Sequence, residues 1–270
     1  MDARIDLPVT MGALTLRQLV SVLDLELDEG RDWAWFPGDE SVRGNFSTRS
    51  ARRSDWLAIS GLGLPPAALA AEGINRRLMA HTLLYTEALS VSLAVNIIAK
   101  RTVRRRRPYT YNPDPAIQVY REGQGDDAYY SFFSGHASTA FVSAVAGSYL
   151  YSQATDDITA RSVVWGVEMA LASATSRLRV KAGKHYWSDV LTGALVGAAT
   201  GFLVPYAHQR EGQARALSGA EWASMGGGFA LGLIAAELFG GAPGLDDAIE
   251  LIWMPHSVPG GAGLAISGGF

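Results

Sequence analysis

Residues 185–206 read HYWSDVLTGALVGAATGFLVPY, a short polar cluster that continues directly into a long run of apolar and small residues. A long window of this composition, without alternation, is typical of a packed helix. His185 and Asp189 are four residues apart, so on a helix they lie on the same face. The stretch therefore predicts a helix that begins with two titratable side chains.

Windows of the same kind recur and predict a bundle of helices. They cover residues 56–71, 83–99, 137–151, 162–175, 190–206 and 223–239. Breakers lie between or within them, among them Pro65-Pro66 and the region from Pro108 to Pro115. The polar residues 112–130 are predicted to form a loop, where binding groups often lie. Little of this region alternates as a strand does.

The two ends of the chain differ from this middle region. Residues 1–55 are predicted to be irregular, apart from a helix near 15–27. Residues 211–270 are rich in glycine, and the alternation over 251–258 and 263–270 predicts a terminal hairpin. We therefore expect an N-terminal region (1–55), a helical domain (56–210) and a C-terminal extension (211–270). The fold class is all-α, with at most a small C-terminal β-hairpin.

Composition narrows the classes of protein that fit. The 270 residues are 48% hydrophobic, which is enough for a sizeable core, and a net charge of -3 argues against a nucleic-acid binder. Because there is no cysteine, disulfides and thiolate metal sites are excluded. Residues 1–6 lack the pattern of a secretory signal. The apolar windows fit either membrane helices or a soluble bundle, since the mean hydropathy is only +0.09.

Three short segments carry the residues of an anion site. Residues 100–107 hold six positive charges in eight positions and precede Pro108. The other two segments are Ser134-Gly135-His136 and residues 179–189, and they contain two of the five histidines in the chain. Fixed cations and backbone N–H groups can neutralise the oxygens of a transferring phosphoryl group. An imidazole can serve as nucleophile or as general acid.

The order and spacing of these segments resemble the PAP2 (phosphatidic acid phosphatase type 2) superfamily pattern. That pattern is Lys-x6-Arg-Pro, then Ser-Gly-His, then Arg-x5-His-x3-Asp, matched here over roughly residues 77–204. The resemblance implies a helical bundle and a phosphatase that uses neither a metal ion nor a cofactor.

The resemblance also implies a role for each matched residue. Oxygens of the phosphate would be bound by side chains and one backbone N–H group, from Lys100, Arg107, Ser134, Gly135 and Arg179. The catalytic residues would be His185, which forms the phosphohistidine, His136, which protonates the leaving group, and Asp189, which orients His185.

Two departures from the pattern concern the flanks of these motifs. Phe133 stands where the family has proline, and Leu178 stands where it has serine before the arginine. Arg177 does follow a serine, but it lies two residues too far from His185, so it remains a second candidate for the role of Arg179. The other arginines of the basic run, 104–106, are expected to face solvent, lipid or a second anionic group.

The implied partner is a phosphorylated small molecule or lipid, with membrane association and no nucleic acid. The implied location is the cell envelope, with an extracytoplasmic active site, and the alternative is a soluble periplasmic enzyme. Two other functions stay open. One is a vanadium-dependent haloperoxidase, whose family shares a similar anion pocket. The other is a non-enzymatic membrane protein whose basic run binds anionic lipid.

Overall fold

The protein is a bundle of helices in the computed structural model, which describes residues 3–22, 32, 36–209 and 215–240. The helices are α1 (Ala3–Val22), α2 (Thr48–Ala71), α3 (Arg76–Val103), α4 (Pro115–Gln124), α5 (Gly135–Val142), α6 (Ser148–Ala154), α7 (Ile158–Lys181), α8 (Trp187–Ala207) and α9 (Gly219–Phe239). No strand occurs in these residues, so the all-α prediction is confirmed. The hairpin predicted over 251–258 and 263–270 lies outside the described residues.

Helix α7 lies at the centre and contacts α2, α5 and α9, while α8 packs on α5 and α3. Glycines allow α8 and α5 to approach closely, because a β-carbon at Gly193 would lie 2.6 Å from the Ser134 carbonyl oxygen. One turn later, Gly197 passes equally close to the backbone of Ser138. These contacts pack α8 along α5, and the Ser134 N–H donates to the Asp189 carbonyl oxygen in the first turn of α8 at 3.0 Å.

Two prolines that were expected to break a helix lie inside α2. Pro65 and Pro66 lack N–H groups, so the carbonyls of Gly61 and Leu62 lose their helical partners. Side chains from other elements replace those bonds. Ser143 Oγ donates to Gly61 O at 2.8 Å, and Tyr85 OH donates to Leu62 O at 3.0 Å. The helix therefore continues because tertiary contacts satisfy the freed carbonyls.

Two further predictions need correction. Residues 112–130 are not only a loop, because Asp114 caps α4 and Pro115 occupies its first turn, where a missing N–H costs nothing. The N-terminal helix begins at Ala3 rather than near residue 15 and ends at Val22. Pro8 lies within it and removes one backbone bond without ending the helix.

Three of the described helices, α3, α8 and α9, are long and apolar enough by length and composition to cross a membrane. This property supports membrane association. All six apolar windows of the sequence fall on helices, with α5, a π-helical turn (Ser143–Gly147) and α6 forming one continuous rod.

Candidate active site

The three sequence segments meet at one end of the bundle. Lys100 lies in the last turn of α3, Arg107 in the loop after it, and Ser134 at the N-cap of α5. Arg179 lies in the last turn of α7, and His185 in the turn between α7 and α8. Residues far apart in the chain are thus gathered where helices begin and end.

The hydrogen bonds of His185 define which ring nitrogen carries the proton. Its side chain is only 1% exposed, and Nδ1 lies 2.8 Å from the carbonyl oxygen of Ser131. A carbonyl can only accept, so Nδ1 must be the protonated nitrogen. Nε2 lies 3.3 Å from Arg107 Nη1, which can only donate. Nε2 therefore carries the lone pair and lies beside a guanidinium.

Asp189 supports His185 without a direct hydrogen bond to the imidazole ring. Its Oδ2 is 3.8 Å from His185 Nδ1, and it accepts from Ser131 Oγ at 2.5 Å and from the Tyr186 N–H at 2.9 Å. The carboxylate thus holds the Ser131 segment, whose carbonyl in turn orients the imidazole. Its negative charge remains near enough to favour a positively charged ring.

Arg105 forms a buried ion-pair hub beneath His185. Its guanidinium donates to Asp189 Oδ1 at 2.6 Å and to Asp39 Oδ2 at 2.8 Å, and it stacks 3.8 Å from the Tyr186 ring centroid. Asp39 also accepts from the backbone and hydroxyl of Ser188. The expectation that Arg105 faces solvent, lipid or substrate is wrong, because two buried carboxylates require its charge.

The Arg107 guanidinium is fixed by hydrogen bonds to Asp127 and to the backbone of Lys184. Its Nε and Nη2 donate to the carbonyl oxygen and carboxylate of Asp127 at 2.7 and 2.8 Å. Nη1 donates to the carbonyl oxygen of Lys184 at 2.9 Å. A guanidinium held at three positions beside His185 can meet phosphate oxygens without reorganising.

The start of α5 provides backbone donors. Ser134 Oγ accepts from the Ala137 N–H at 3.3 Å, while its own hydroxyl proton can still be donated. Gly135 is the first residue of the helix, where N–H groups have no acceptor within the helix. A β-carbon at Gly135 would lie 3.0 Å from Asn96 Oδ1. Asn96 also donates to the Phe133 carbonyl oxygen at 2.8 Å and so fixes the loop before the helix.

His136 occupies the more open side of the site. Its side chain is 36% exposed, and Nε2 contacts Asp55 Oδ1 at 2.8 Å. Asp55 also accepts from Arg179 Nη1 at 3.2 Å, and Ser54 Oγ lies 3.3 Å from the same nitrogen. Helix α2 therefore joins the histidine of the second segment to the arginine of the third.

Burial and the cations of the site together lower the pKa of both imidazoles. Burial, with the charges of Arg107, Arg179 and Lys100, places the pKa of His185 well below its usual value, so this ring is neutral near neutral pH. The Arg179 guanidinium and burial lower the pKa of His136 to about 4, against the opposing effect of Asp55. Lys100 therefore acts on both rings, as expected for a cation in one shared cluster.

The two arginine candidates of the third segment, Arg177 and Arg179, differ in burial and in their partners. Arg179 is 6% exposed and reaches Asp55, whereas Arg177 pairs with Glu237 and stacks 4.9 Å from the Trp187 ring centroid. Of the two, Arg179 joins the cluster of Asp55 and His136, and Arg177 does not. In the basic run, the guanidinium groups of Arg104 and Arg106 each lie 5.8 Å from the Tyr129 ring centroid.

Five supporting residues were missed by the sequence analysis: Asp39, Asp55, Asn96, Asp127 and Ser131. Asp39 and Asp127 had no local signal, because single acids in polar segments are common. Asp55 had only a weak local signal, because it directly precedes the first apolar window. Within the described ranges, no group of three or more histidine or acidic side chains could hold a metal ion.

A family model described as the PAP2 superfamily matches residues 81–213. No curated protein and no solved structure matches the chain. The matched range contains all three segments, while Asp39 and Asp55 lie before it.

Proposed function

We propose, on the premise that residues 81–213 form a PAP2 superfamily domain, that this protein is a metal-independent phosphatase acting through a phosphohistidine. The observation that carries the proposal is the state of His185. Its Nδ1–H donates to the Ser131 carbonyl oxygen, and its unprotonated Nε2 lies 3.3 Å from Arg107 Nη1. A nucleophilic nitrogen beside a fixed guanidinium is an arrangement that supports phosphoryl transfer to the ring.

In the first step, the substrate phosphate binds among fixed donors. Arg107, Arg179 and Lys100 neutralise its oxygens, and the N–H groups at the start of α5 add hydrogen bonds. Nε2 of His185 then attacks phosphorus in line, and the ester P–O bond breaks. The charges that a metal ion would bring to the equatorial oxygens are supplied here by side chains.

His136 serves the leaving group. Asp55 holds its Nε2, so Nδ1 remains for the leaving oxygen. In the free enzyme its pKa of about 4 is low for a general acid. A bound phosphate dianion adds negative charge beside it, which raises the pKa and favours the protonated form. After the alcohol leaves, the neutral imidazole can accept a proton from the water that attacks the phosphohistidine.

Asp189 and Arg105 stabilise the intermediate. When Nε2 carries the phosphoryl group, the His185 ring becomes positively charged and keeps its Nδ1–H. The Asp39–Arg105–Asp189 cluster has one more negative than positive charge and lies directly beneath that ring. It therefore favours the charged imidazolium by electrostatics rather than by accepting its proton.

A lipid phosphate is the substrate class we favour. An apolar groove of about 410 Å³ lies between α2, α7 and α9 and is lined by Trp56, Leu57, Leu171 and Phe239, among others. Its α2 lining, Arg53, Trp56 and Leu57, flanks Asp55 in the sequence. We therefore propose that a hydrocarbon chain occupies the groove while the phosphate reaches the site. If α3, α8 and α9 cross a membrane, the site lies near the ends of α3 and α8, and we propose that this end faces the extracytoplasmic side.

The test is phosphate release from p-nitrophenyl phosphate and a panel of lipid phosphates, with EDTA present, for parent and His185→Ala. We expect activity that survives EDTA and is lost in the variant, with lipid phosphates preferred. Turnover of soluble phosphates alone would indicate a broad acid phosphatase. No turnover would contradict the proposal, and bromide oxidation with vanadate and peroxide would then identify a haloperoxidase.

A further inference from the structure

A second apolar groove lies between α8 and α9, at the other end of the bundle from His185. Its volume is about 640 Å³. The lining includes Val145, Ala198, Phe202, Trp222 and Met225. Helix α8 begins beside His185, and the groove follows the second half of that helix. The groove is therefore separate from the candidate active site.

The walls of this groove are two apolar helices with little buried surface. Both α8 and α9 are long and apolar enough to cross a membrane, and 28% and 17% of their apolar stretches are buried. Tyr206 on α8 and Trp222 on α9 line the groove and are more than half exposed. An apolar space of this size, open at its side, is suited to a hydrocarbon ligand.

Polar contacts at the start of α9 fix the width of the groove. Glu221, in the first turn of α9, accepts from Arg161 on α7 at 2.6 and 2.9 Å and from Ser152 on α6 at 2.7 Å. Trp165, which also lines the groove, donates to Ser152 Oγ at 3.1 Å. The space is thus formed before a ligand binds, which lowers the entropy cost of binding.

Arg215 is the charged residue of the lining. Its Nη1 donates to the carbonyl oxygen of Ser152 at 3.2 Å and to that of Thr155, and its Nη2 pairs with Asp156. The Asp156 side chain is 94% exposed, so this ion pair contributes little stability. The guanidinium is held in place by the backbone, and its exposed part can bind an anionic group.

The position of Arg215 along the groove follows the polarity of a membrane. Helix α8 ends at Ala207 and α9 begins at Gly219, so Arg215 lies where both helices meet the aqueous phase. Tyr206 and Trp222 lie near these ends, as aromatic residues do at a membrane surface. Ala198 precedes Tyr206 by two helical turns and lies roughly 12 Å deeper. The groove therefore has a cation at the headgroup level and an apolar space below it.

We infer that this groove binds one phospholipid of the membrane, with its phosphate on Arg215 and an acyl chain along Phe202 and Ala198. The inference requires α8 and α9 to lie in a membrane, and it does not depend on the proposed phosphatase function. The lipid is bound and not converted, because the groove and His185 lie at opposite ends of α8. It belongs to the leaflet opposite the candidate active site, and its binding stabilises the folded bundle.

The binding is measured by native mass spectrometry of the protein in detergent, titrated with palmitoyl-oleoyl phosphatidylglycerol. This lipid is a phosphodiester without a terminal phosphate, so it is not a substrate for the proposed phosphatase. We expect one tightly bound lipid per chain. Palmitoyl-oleoyl glycerol, which lacks the phosphate, is the matched ligand. It should bind about tenfold more weakly, since one charge-assisted hydrogen bond is lost.

Three variants test the assigned contacts. Arg215→Gln should weaken the binding of phosphatidylglycerol about tenfold and leave that of the glycerol lipid unchanged. Ala198→Trp fills the groove and should prevent the binding of both lipids. Ala216→Trp should do the same from an exposed position of the lining, where a large side chain does not strain the bundle.

Leu203→Trp is the matched control, because Leu203 is exposed on α8 and does not line the groove. It should bind both lipids as the parent does. Circular dichroism of each variant shows whether it has folded.

Three results would overturn the inference. The first is a parent that retains no phospholipid. The second is binding that Ala198→Trp and Ala216→Trp leave unchanged, which would place the lipid elsewhere on the surface. The third is a dimer that these two variants dissociate, because a second copy of the chain would then occupy the groove. Each of these results leaves the proposed phosphatase function untouched, and loss of that function would leave the lipid site untouched.

Discussion

The two histidines of the site have opposite surroundings. His185 is 1% exposed, with its Nδ1 held by a carbonyl and a two-carboxylate hub beneath it. His136 is 36% exposed and contacts a single carboxylate, Asp55, which is itself half exposed. One ring is enclosed by the folded bundle, whereas the other stands at its open edge.

This difference fits the roles that we propose for the two rings. A nucleophile must present one nitrogen in one direction, so a rigid and buried support is useful. A general acid has to accommodate leaving groups of different shape, which requires space. We therefore expect substitutions on the His185 side to affect folding and all substrates, and substitutions on the His136 side to affect substrates selectively.

The largest expected effect is that of Arg105→Met. It leaves Asp39 and Asp189 buried without their cation, which should lower the free energy of unfolding by about 3–5 kcal/mol. Denaturant titrations of parent and variant under identical conditions measure this loss. Arg106→Met is the matched control and should cost less than about 1 kcal/mol. Equal losses for the two variants would contradict the role of the hub.

The next effect separates two neighbouring arginines on α7. Arg179→Met should lower kcat/KM about 10²–10³-fold for every phosphate ester, the usual loss for one donor to a developing anion. Arg177→Met, which removes an outward pair with Glu237, should leave kcat/KM within about twofold of the parent. A larger loss at Arg177 than at Arg179 would show that the phosphate is bound elsewhere.

A smaller and selective effect is expected of Asp55→Asn on the open side. With an alkyl phosphate, whose leaving alkoxide needs a proton, kcat/KM should fall on the order of 10- to 100-fold. With p-nitrophenyl phosphate the loss should be slight, because that leaving group departs as a stable anion. The exposed Asp126→Asn serves as control. A uniform loss on both substrates would mean that Asp55 positions Arg179 rather than His136.

The smallest expected effect is a shift in the pKa of His136. The imidazole of His136 should titrate below 6.5, near its pKa of about 4, in an NMR titration of the ligand-free protein. Because Asp55 stabilises the protonated ring, Asp55→Asn should move the midpoint to still lower pH. Inorganic phosphate should move it upward. A midpoint that rises in Asp55→Asn would contradict the assigned contact.

Local sequence patterns predicted much of the fold and the residues that gather at the candidate site. The six long apolar windows predicted seven of the helices, since one window covers both α5 and α6, and the three segments do meet around His185. Pro65 and Pro66 were misread because the groups that satisfy Gly61 and Leu62, Ser143 and Tyr85, lie in distant elements. A local rule for proline cannot include such partners.

The support of the site was harder to predict than the site itself. Arg105 lies among similar arginines, and its burial depends on Asp39, which is 66 residues away in the chain. Asp55 could not be assigned, because its two partners lie on α5 and α7. Contacts of this kind follow from the packing of the bundle and have no spacing that a sequence pattern could reveal.

The most direct test of the central claim is isolation of the phosphoenzyme. The enzyme is mixed with excess p-nitrophenyl phosphate in EDTA, and the reaction is quenched rapidly at alkaline pH. The phosphorylated atom is then identified by mass spectrometry and NMR. The structure predicts one acid-labile phosphoryl group, on Nε2 of His185, that is absent from His185→Gln. A phosphoryl group on Nδ1 or on another residue would contradict this account. Steady turnover without a phosphoenzyme, in which the phosphoryl group is transferred directly to water, would contradict it as well.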